Sequence, residues 1–344
     1  MNGQVLRKLR EMKYVIAFGL AIMVVLAGTA AYVYYGLTHR PDVSSFAALK
    51  TSPDINRNAP LRVTFLGVST LLFDDGSTAI LLDGFFTRPN SRQLFLEKIS
   101  PDKTIIKNSL QRAGIDKLAA VIVNHSHYDH AMDAPEVAAQ TGAVLVGSES
   151  TANVGRGWGL PEASIAARRP GDIMTFGRFT VTLLQSRHVP SPFSGGEITA
   201  PLVPPVRANA YLEGTSFAVQ IEHDGRRLLV NASAGFVPGA LAGRRADVVF
   251  LGIGQLGKQS LSYMAEYWRE LVTTSGARRV IPIHWDDFTA PIDQPLRPIP
   301  VLLDDMNASM KFLVAEGGKS GVEVKLPEAW TVFDPFDRLP ASAR

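Results

Sequence analysis

Apolar positions fall into two regimes along this chain. From Tyr14 to Thr38 no Asp, Glu, Lys or Arg interrupts the sequence. A helix crosses a ~30 Å bilayer core in about 20 residues, so this run is long enough to span one. Beyond it, residues 39–60 are polar and punctuated by proline, the pattern of a linker. From residue 61 the apolar residues come in short runs bounded by turn signals, which predicts strands. Arg62–Leu66 opens the series. Leu71–Phe73 and Ala79–Leu82, joined by Asp74-Asp75-Gly76, form a hairpin, and Leu118–Val123 and Val144–Val146 are further strands. The second half repeats the theme with Phe179–Leu184, Ser216–Ile221, Arg227–Val230 after the turn Asp224-Gly225, Val248–Leu251 and Val280–Ile283. Helical spacing covers Ile105–Ala113, Ala134–Thr141, Leu261–Thr273 (with Ser260 or Ser262 as N-cap) and Leu302–Ala315, which Gly317-Gly318 should stop. Strands alternating with helices in two comparable halves fit two packed sheets with helices outside.

Charge adds a direction to the first run. Arg7, Lys8, Arg10 and Lys13 precede it, and the positive-inside rule keeps that end in the cytoplasm. Tyr32, Tyr34 and Tyr35 lie where an interfacial aromatic belt is expected. The expected organisation is a basic tail (1–13), a transmembrane anchor (14–38), a linker (39–60) and one folded domain (61–344). That makes a single-pass membrane protein with its domain on the extracytoplasmic, periplasmic side. A cleaved signal peptide, cut near Gly28-Thr29-Ala30, is the alternative. Net charge of +3 and the lack of a basic stripe do not point to nucleic acid, and with no cysteine there is neither disulfide nor thiolate ligand. Nothing in the sequence fixes the oligomeric state.

The chemistry concentrates after the Leu118–Val123 strand. His125, His127, Asp129 and His130 follow it within a few residues. Two more of the chain's seven histidines, His188 and His284, come just after the Phe179–Leu184 and Val280–Ile283 strands. Imidazole and carboxylate gathered at strand ends suit zinc and its first-row neighbours. His39 in the linker and His223 in a hairpin turn stand apart.

The spacing His125-x-His127-x-Asp129-His130, then His188, then His284, resembles the metallo-β-lactamase superfamily over residues 61–335. Leu66-Gly67-Val68-Ser69-Thr70, Leu82-Asp83-Gly84-Phe85-Phe86-Thr87-Arg88-Pro89 and Ile281-Pro282-Ile283-His284-Trp285 resemble segments of its branch holding N-acyl-phosphatidylethanolamine phospholipase D and L-ascorbate-6-phosphate lactonase. In the first of these Val68 replaces a histidine. The resemblance implies an α+β fold, the four-layer αββα sandwich. It implies one or two divalent metals, zinc first and Mn, Fe or Ni as alternatives. His125, His127 and His188 would hold one ion, and Asp129, His130 and His284 the other. Asp129, the motif's one carboxylate, is also the candidate catalytic residue. A divalent ion lowers the pKa of the water it binds from ~15.7 to near ~7, which provides hydroxide at neutral pH.

One position departs from the pattern. The family places an aspartate that bridges both metals between His188 and His284. Here Asn231-Ala232-Ser233-Ala234-Gly235 occupies that turn, with Ser233 at the expected place. Without that negative charge two dications repel each other more. The expectation is therefore one tight metal, two metals bridged by hydroxide or substrate phosphate, or an inactive site. Asp286 and Asp287 could supply a carboxylate or serve as caps. Asp83 is expected either to orient a ligand histidine or to be a turn residue. Tyr128, Trp285 and Tyr211 are candidates for the pocket wall, and Arg207 for an anionic group. The proline-rich, partly apolar stretch Val189–Arg207 is a lid, a substrate contact or a packed loop. The implied function is a membrane-anchored hydrolase of an ester-type bond in a phosphodiester or lipid-like substrate. A lactonase, a hydrolase of phosphorylated small molecules and a non-catalytic binding protein are the alternatives.

Overall fold

The computed structural model describes residues 3–55 and 57–340. The N-terminal run forms α1 (Gly3–Thr38), which begins inside the basic segment, so Arg7 and Lys13 ride on the same helix as the apolar residues. By length and composition α1 can cross a membrane, and none of its most apolar window is buried against the rest of the protein. Residues 39–55 do not stand clear of the domain as a free linker would. Val43–Leu49 winds into a short 3-10 helix, and Val43, Phe46 and Leu49 pack on the core. Leu326 N–H then donates to Leu49 O, and Thr51 N–H to Leu326 O. Three apolar side chains at turn spacing suffice to lay this stretch down.

Strands β1 (Arg62–Phe65), β2 (Leu71–Asp74) and β3 (Ala79–Leu82) form an antiparallel meander. Two helices, α2 (Ser91–Leu96) and α3 (Lys103–Ala113), lead to β4 (Ala120–Ile122), which pairs parallel with β3. The single turn α4 (Tyr128–Ala131) and α5 (Ala134–Thr141) follow. Then come β5 (Val144–Gly147), α6 (Glu149–Trp158) and β6 (Ile165–Ala167). The second sheet begins with β7 (Ile173–Phe176), β8 (Phe179–Gln185), β9 (Phe217–His223) and β10 (Arg226–Asn231), each antiparallel to the one before it. It continues in parallel through β11 (Val248–Gly252) and β12 (Arg279–Ile283), with α7 (Leu261–Trp268) between them. After α8 (Met306–Ser320), β13 (Glu323–Val324) completes this sheet, and β14 (Val332–Phe333) returns to pair with β1 at the edge of the first.

Period-two alternation builds the layers. Ile80, Leu82, Ala120 and Ile122 face the second sheet, whereas Leu81 and Val121 join Ile106 and Leu110 of α3 and Val137 of α5. Met264 and Tyr267 of α7, with Met310 and Leu313 of α8, pack on the second sheet. Each large side chain buried this way contributes roughly 1.5–3 kcal/mol relative to exposure. The two-sheet sandwich expected from the sequence is present, with helices on both outer faces.

Some elements differ from expectation. The last helix starts at Met306, capped by the Asp305 side chain, and runs through Gly317-Gly318 to end at Gly321. Gly317 is needed inside the helix, because a Cβ there would lie 2.6 Å from Val322 O. The helix beginning at Leu261 keeps its Ser260 cap but widens to a π turn over Arg269–Thr273. Helix α6 was not among the elements expected from the sequence. Its Gly155 and Gly157 admit Leu145 and the Leu202 backbone at close range.

Candidate metal centre

The candidate ligands leave the sheets where strands end. His125 and His127 lie between β4 and α4, and α4 itself carries Asp129 and His130. His188 follows β8 and His284 follows β12. The fold brings all six together. Ligand atoms of His125, His127 and His188 lie within 4.8 Å of one another, and so do those of Asp129, His130 and His284. The rings form one continuous group, with centroids 3.9 Å apart for His125–His130, 4.7 Å for His127–His188 and 5.2 Å for His130–His284.

Hydrogen bonds orient the rings. Asp83 is fully buried and accepts from Ser69 Oγ, from Asn124 N–H (2.8 Å) and from His130 Nδ1 (2.8 Å). His130 therefore carries its proton on Nδ1 and presents a bare Nε2. His188 donates from Nδ1 to Val189 O (2.8 Å), and His127 from Nε2 to Phe193 O (3.1 Å), which leaves the opposite nitrogen of each free. Asp129 Oδ2 stands 3.3 Å from His284 Nε2 and 3.5 Å from His130 Nε2. Among the described residues His125 Nε2 and His130 Nε2 are buried without any hydrogen-bond partner. Buried polar atoms are nearly always satisfied, so unpaired imidazole nitrogens in a ring cluster beside a carboxylate fit a cation.

Electrostatics divides the cluster. Burial pushes His125 and His127 below their usual range and takes His188 down to about 4, so these rings stay neutral. Burial acts the same way on His130, but Asp129 and Asp83 outweigh it and hold that ring above its usual value. Asp129 is buried too, which opposes its charge, yet His130 and His284 keep it well below the ordinary carboxylate range.

The model of the beta-lactamase superfamily domain matches residues 78–285. The chain belongs to this superfamily. Among its relatives, a UPF0173 metal-dependent hydrolase of Heliobacterium modesticaldum is 30% identical over 122 residues, 36% of this chain and 44% of that protein. A protein of the same name from Chloroflexus aurantiacus is 24% identical over 202 residues, 59% of this chain and 78% of the relative. The chain thus aligns with less than half of the first relative and more than three quarters of the second. Among solved structures, Igni18, a metallo hydrolase of Ignicoccus hospitalis, superposes with a TM-score of 0.50 at 17% identity, over 80% of this chain and 98% of that one. At that identity the likeness speaks for the fold alone.

The family pattern sharpens what the remaining residues do. Ser233 Oγ accepts from Val189 N–H (2.9 Å), so the residue expected at the bridging position holds the backbone beside His188. Asn231 braces the same turn through Ser233 O (2.5 Å), Gly235 O (3.0 Å) and Tyr267 OH (3.1 Å). Gly235 approaches so closely that a Cβ would meet His188 O at 2.4 Å. Asp286 and Asp287 are not spare ligands. Asp286 accepts from Val68 N–H (2.7 Å) and pairs with Arg88 (2.8 Å) in full burial, while Asp287 pairs with Arg40 (2.9 Å) and accepts from Thr289 N–H. Trp285 and Tyr211 are buried, 4% and 3% exposed, and each packs in a hydrophobic core cluster. Arg207 bonds Phe95 O at the surface instead of facing the cluster. Tyr128 stacks edge-on between Phe85 and Phe288. His39 stacks on Tyr35, and His223 pairs with Asp75, both outside the cluster.

The Val189–Arg207 stretch is a fastened cover. Asn153 donates to Ile198 O (2.7 Å), Ile198 N–H to Ser150 Oγ (3.0 Å), and Val206 pairs with Ile99. Phe193 stays 68% exposed while its carbonyl holds His127. Sequence reasoning missed Glu213, which accepts from His188 N–H (3.2 Å), Gly195 N–H (2.5 Å) and Ser216 Oγ (2.7 Å) and so ties the cover to the His188 strand end. No local signal marks it. Asn124 was also missed, although its place directly before His125 is a signal that could have been used.

Proposed function

We propose that this chain is a metal-dependent hydrolase anchored in a membrane by α1, with its domain on the extracytoplasmic side. The observation that carries the reading is the convergence of six ligand atoms in two triads from three separate chain segments. His125, His127 and His188 hold one divalent ion, and Asp129, His130 and His284 a second, zinc being the first choice for such a donor set. Bound there, the ion supplies Lewis acidity and a nucleophile competent at neutral pH.

The chain's own residues prepare that chemistry. Asp83 keeps the His130 proton on Nδ1, and the Phe193 carbonyl keeps the His127 proton on Nε2. Asp129 adds the one negative charge of the donor set, and against the effect of burial His130 and His284 keep it ionised. The fastened cover shields the His127 side from water. An ester-type bond is the substrate class, and a phosphodiester or lipid-like molecule is favoured by α1 and by the exposed Phe193 beside the cluster. The resemblance to the phospholipase D and lactonase branch supports the same choice.

The committed hydroxyl of Ser233 favours a second reading, a binding protein with a weakened dinuclear site. Metal analysis together with turnover of bis(p-nitrophenyl) phosphate separates the two. Tight metal and turnover above a His127→Ala control are expected. Metal below about a tenth of an equivalent, or no rate above that control, overturns the hydrolase.

A further inference from the structure

The surroundings of His284 are built from a segment that the N-terminal helix grips. Trp285, Asp286 and Asp287 follow His284 directly and pair with a returning stretch. Asp287 N–H donates to Arg297 O (2.7 Å), Ile299 N–H donates to Trp285 O (3.4 Å), and Asp286 bridges Pro298. The foot of α1 holds this unit at two levels. Arg40 pairs through Nη2 with Asp287 Oδ2 (2.9 Å) and donates through Nη1 to Pro298 O (2.6 Å), which spans both arms. Just above, Leu302 N–H donates to Gly36 O (2.8 Å) and Val301 N–H to His39 O (3.0 Å). Gly36 lies so near that a Cβ would come within 2.8 Å of Leu302 Cβ.

From the same unit, contacts lead to the histidine. Asp286 Oδ1 accepts from Val68 N–H, and Val68 O accepts from His284 N–H (2.6 Å). Arg88 closes the unit from the other side, on Asp286 and on Asp287 O (3.3 Å). His284 sits at φ +58 and Val68 at φ +52. Such left-handed conformations are costly for residues other than glycine and persist only where neighbours impose them. The Arg40 side chain is 23% exposed and that of Asp287 5%, so water screens the pair far less than a surface pair. Arg297, the other cation near Asp287, stands farther off at 3.6 Å and is half exposed.

We propose that Arg40 is a positioning residue for His284, acting through Asp287, so that the foot of the N-terminal helix is part of the metal centre. The inference rests on His284 being a ligand, as argued above. Arg40 lies outside residues 78–285, so this contribution is made by a part of the chain beyond the superfamily match. It gives a membrane anchor a direct mechanical link to one half of the site.

The test uses the full chain in detergent, metal-free, titrated with Co(II) and followed by its d–d spectrum and by chelator competition. His284→Ala identifies which equivalent depends on His284. Arg40→Ala should weaken that equivalent roughly tenfold, the scale of outer partners of metal ligands, and alter its spectrum. It should leave the remaining equivalent of His284→Ala unchanged when the two are combined. Arg40→Lys should restore part of the loss, because it keeps the charge without the two-armed contact. Gly36→Val, which wedges Leu302 away with Arg40 intact, should weaken the same equivalent. Unchanged binding in Arg40→Ala, or a loss shared by both equivalents, overturns the inference. Wild type binding no cobalt overturns the ligand assignment itself.

Discussion

The two histidine clusters are held by different means. The His125–His127–His188 cluster has no carboxylate of its own, and backbone carbonyls of the cover, Val189 O and Phe193 O, orient two of its rings. The Asp129–His130–His284 cluster contains a carboxylate, leans on the buried Asp83–Ser69–Asn124 network, and is framed by the Arg88–Asp286 pair. The first depends on a loop that can be perturbed locally. The second depends on the core. With Ser233 where a shared carboxylate is expected, charge compensation falls on the Asp129 side alone. That cluster should bind a divalent ion more tightly near neutral pH.

The sharpest way to break this contrast is to remove Asp83. Asp83→Ala leaves Ser69, Asn124 and His130 with unpaired buried polar atoms, and should lower the unfolding free energy by about 3 kcal/mol. It should also weaken the Asp129-side equivalent by about 10–100-fold, read by denaturant titration and cobalt binding, while the three-histidine equivalent changes little. Ser233→Asp works from the other direction. A carboxylate there should tighten the weaker equivalent about tenfold, near 1.4 kcal/mol by calorimetry, and bring the two clusters closer together. No change would mean that Ser233 does not face the ions.

The smallest effect reverses the order of the clusters. Protons compete with metal for imidazole nitrogen. Despite its burial, His130 is raised above its usual value by Asp129 and Asp83, whereas burial depresses His125 and His127 and pushes His188 down to about 4. As pH falls from about 7 to about 5, His130 takes its proton first, so the Asp129-side ion should leave first although it binds more tightly near neutrality. Element analysis after dialysis at stepped pH reads this directly. Simultaneous release of both ions would contradict the division.

Much of the centre could be read in one dimension. His125, His127, Asp129 and His130 are neighbours in sequence, and a strand end followed by a single helical turn is a local arrangement that spacing can reveal. His188 and His284 were legible because each follows an apolar run that could only be a buried strand. The expected strands Leu71–Phe73, Ala79–Leu82 and Val248–Leu251 formed for the same reason, since period-two and apolar runs of that length bury themselves in a sheet. Elements whose buried face is made of small or polar residues were not legible. In α6, two glycines admit neighbouring chain, and a helix whose small residues serve packing looks like a loop in sequence.

The sequence by itself determined which atoms are available to a metal, and that the expected bridging carboxylate is absent, because both are matters of residue identity and local spacing. Only the tertiary structure decided which cluster is tied to buried carboxylates, what orients His127, His130 and His188, and that Asp286 and Asp287 serve the scaffold. Glu213 beneath His188, Arg88 against Asp286 and Arg40 against Asp287 are pairs whose partners lie far apart in the chain. An ion pair or hydrogen bond depends on distance in space. For residues so separated, that distance is set by how the sheets, the cover and the foot of α1 pack, which composition and periodicity do not encode.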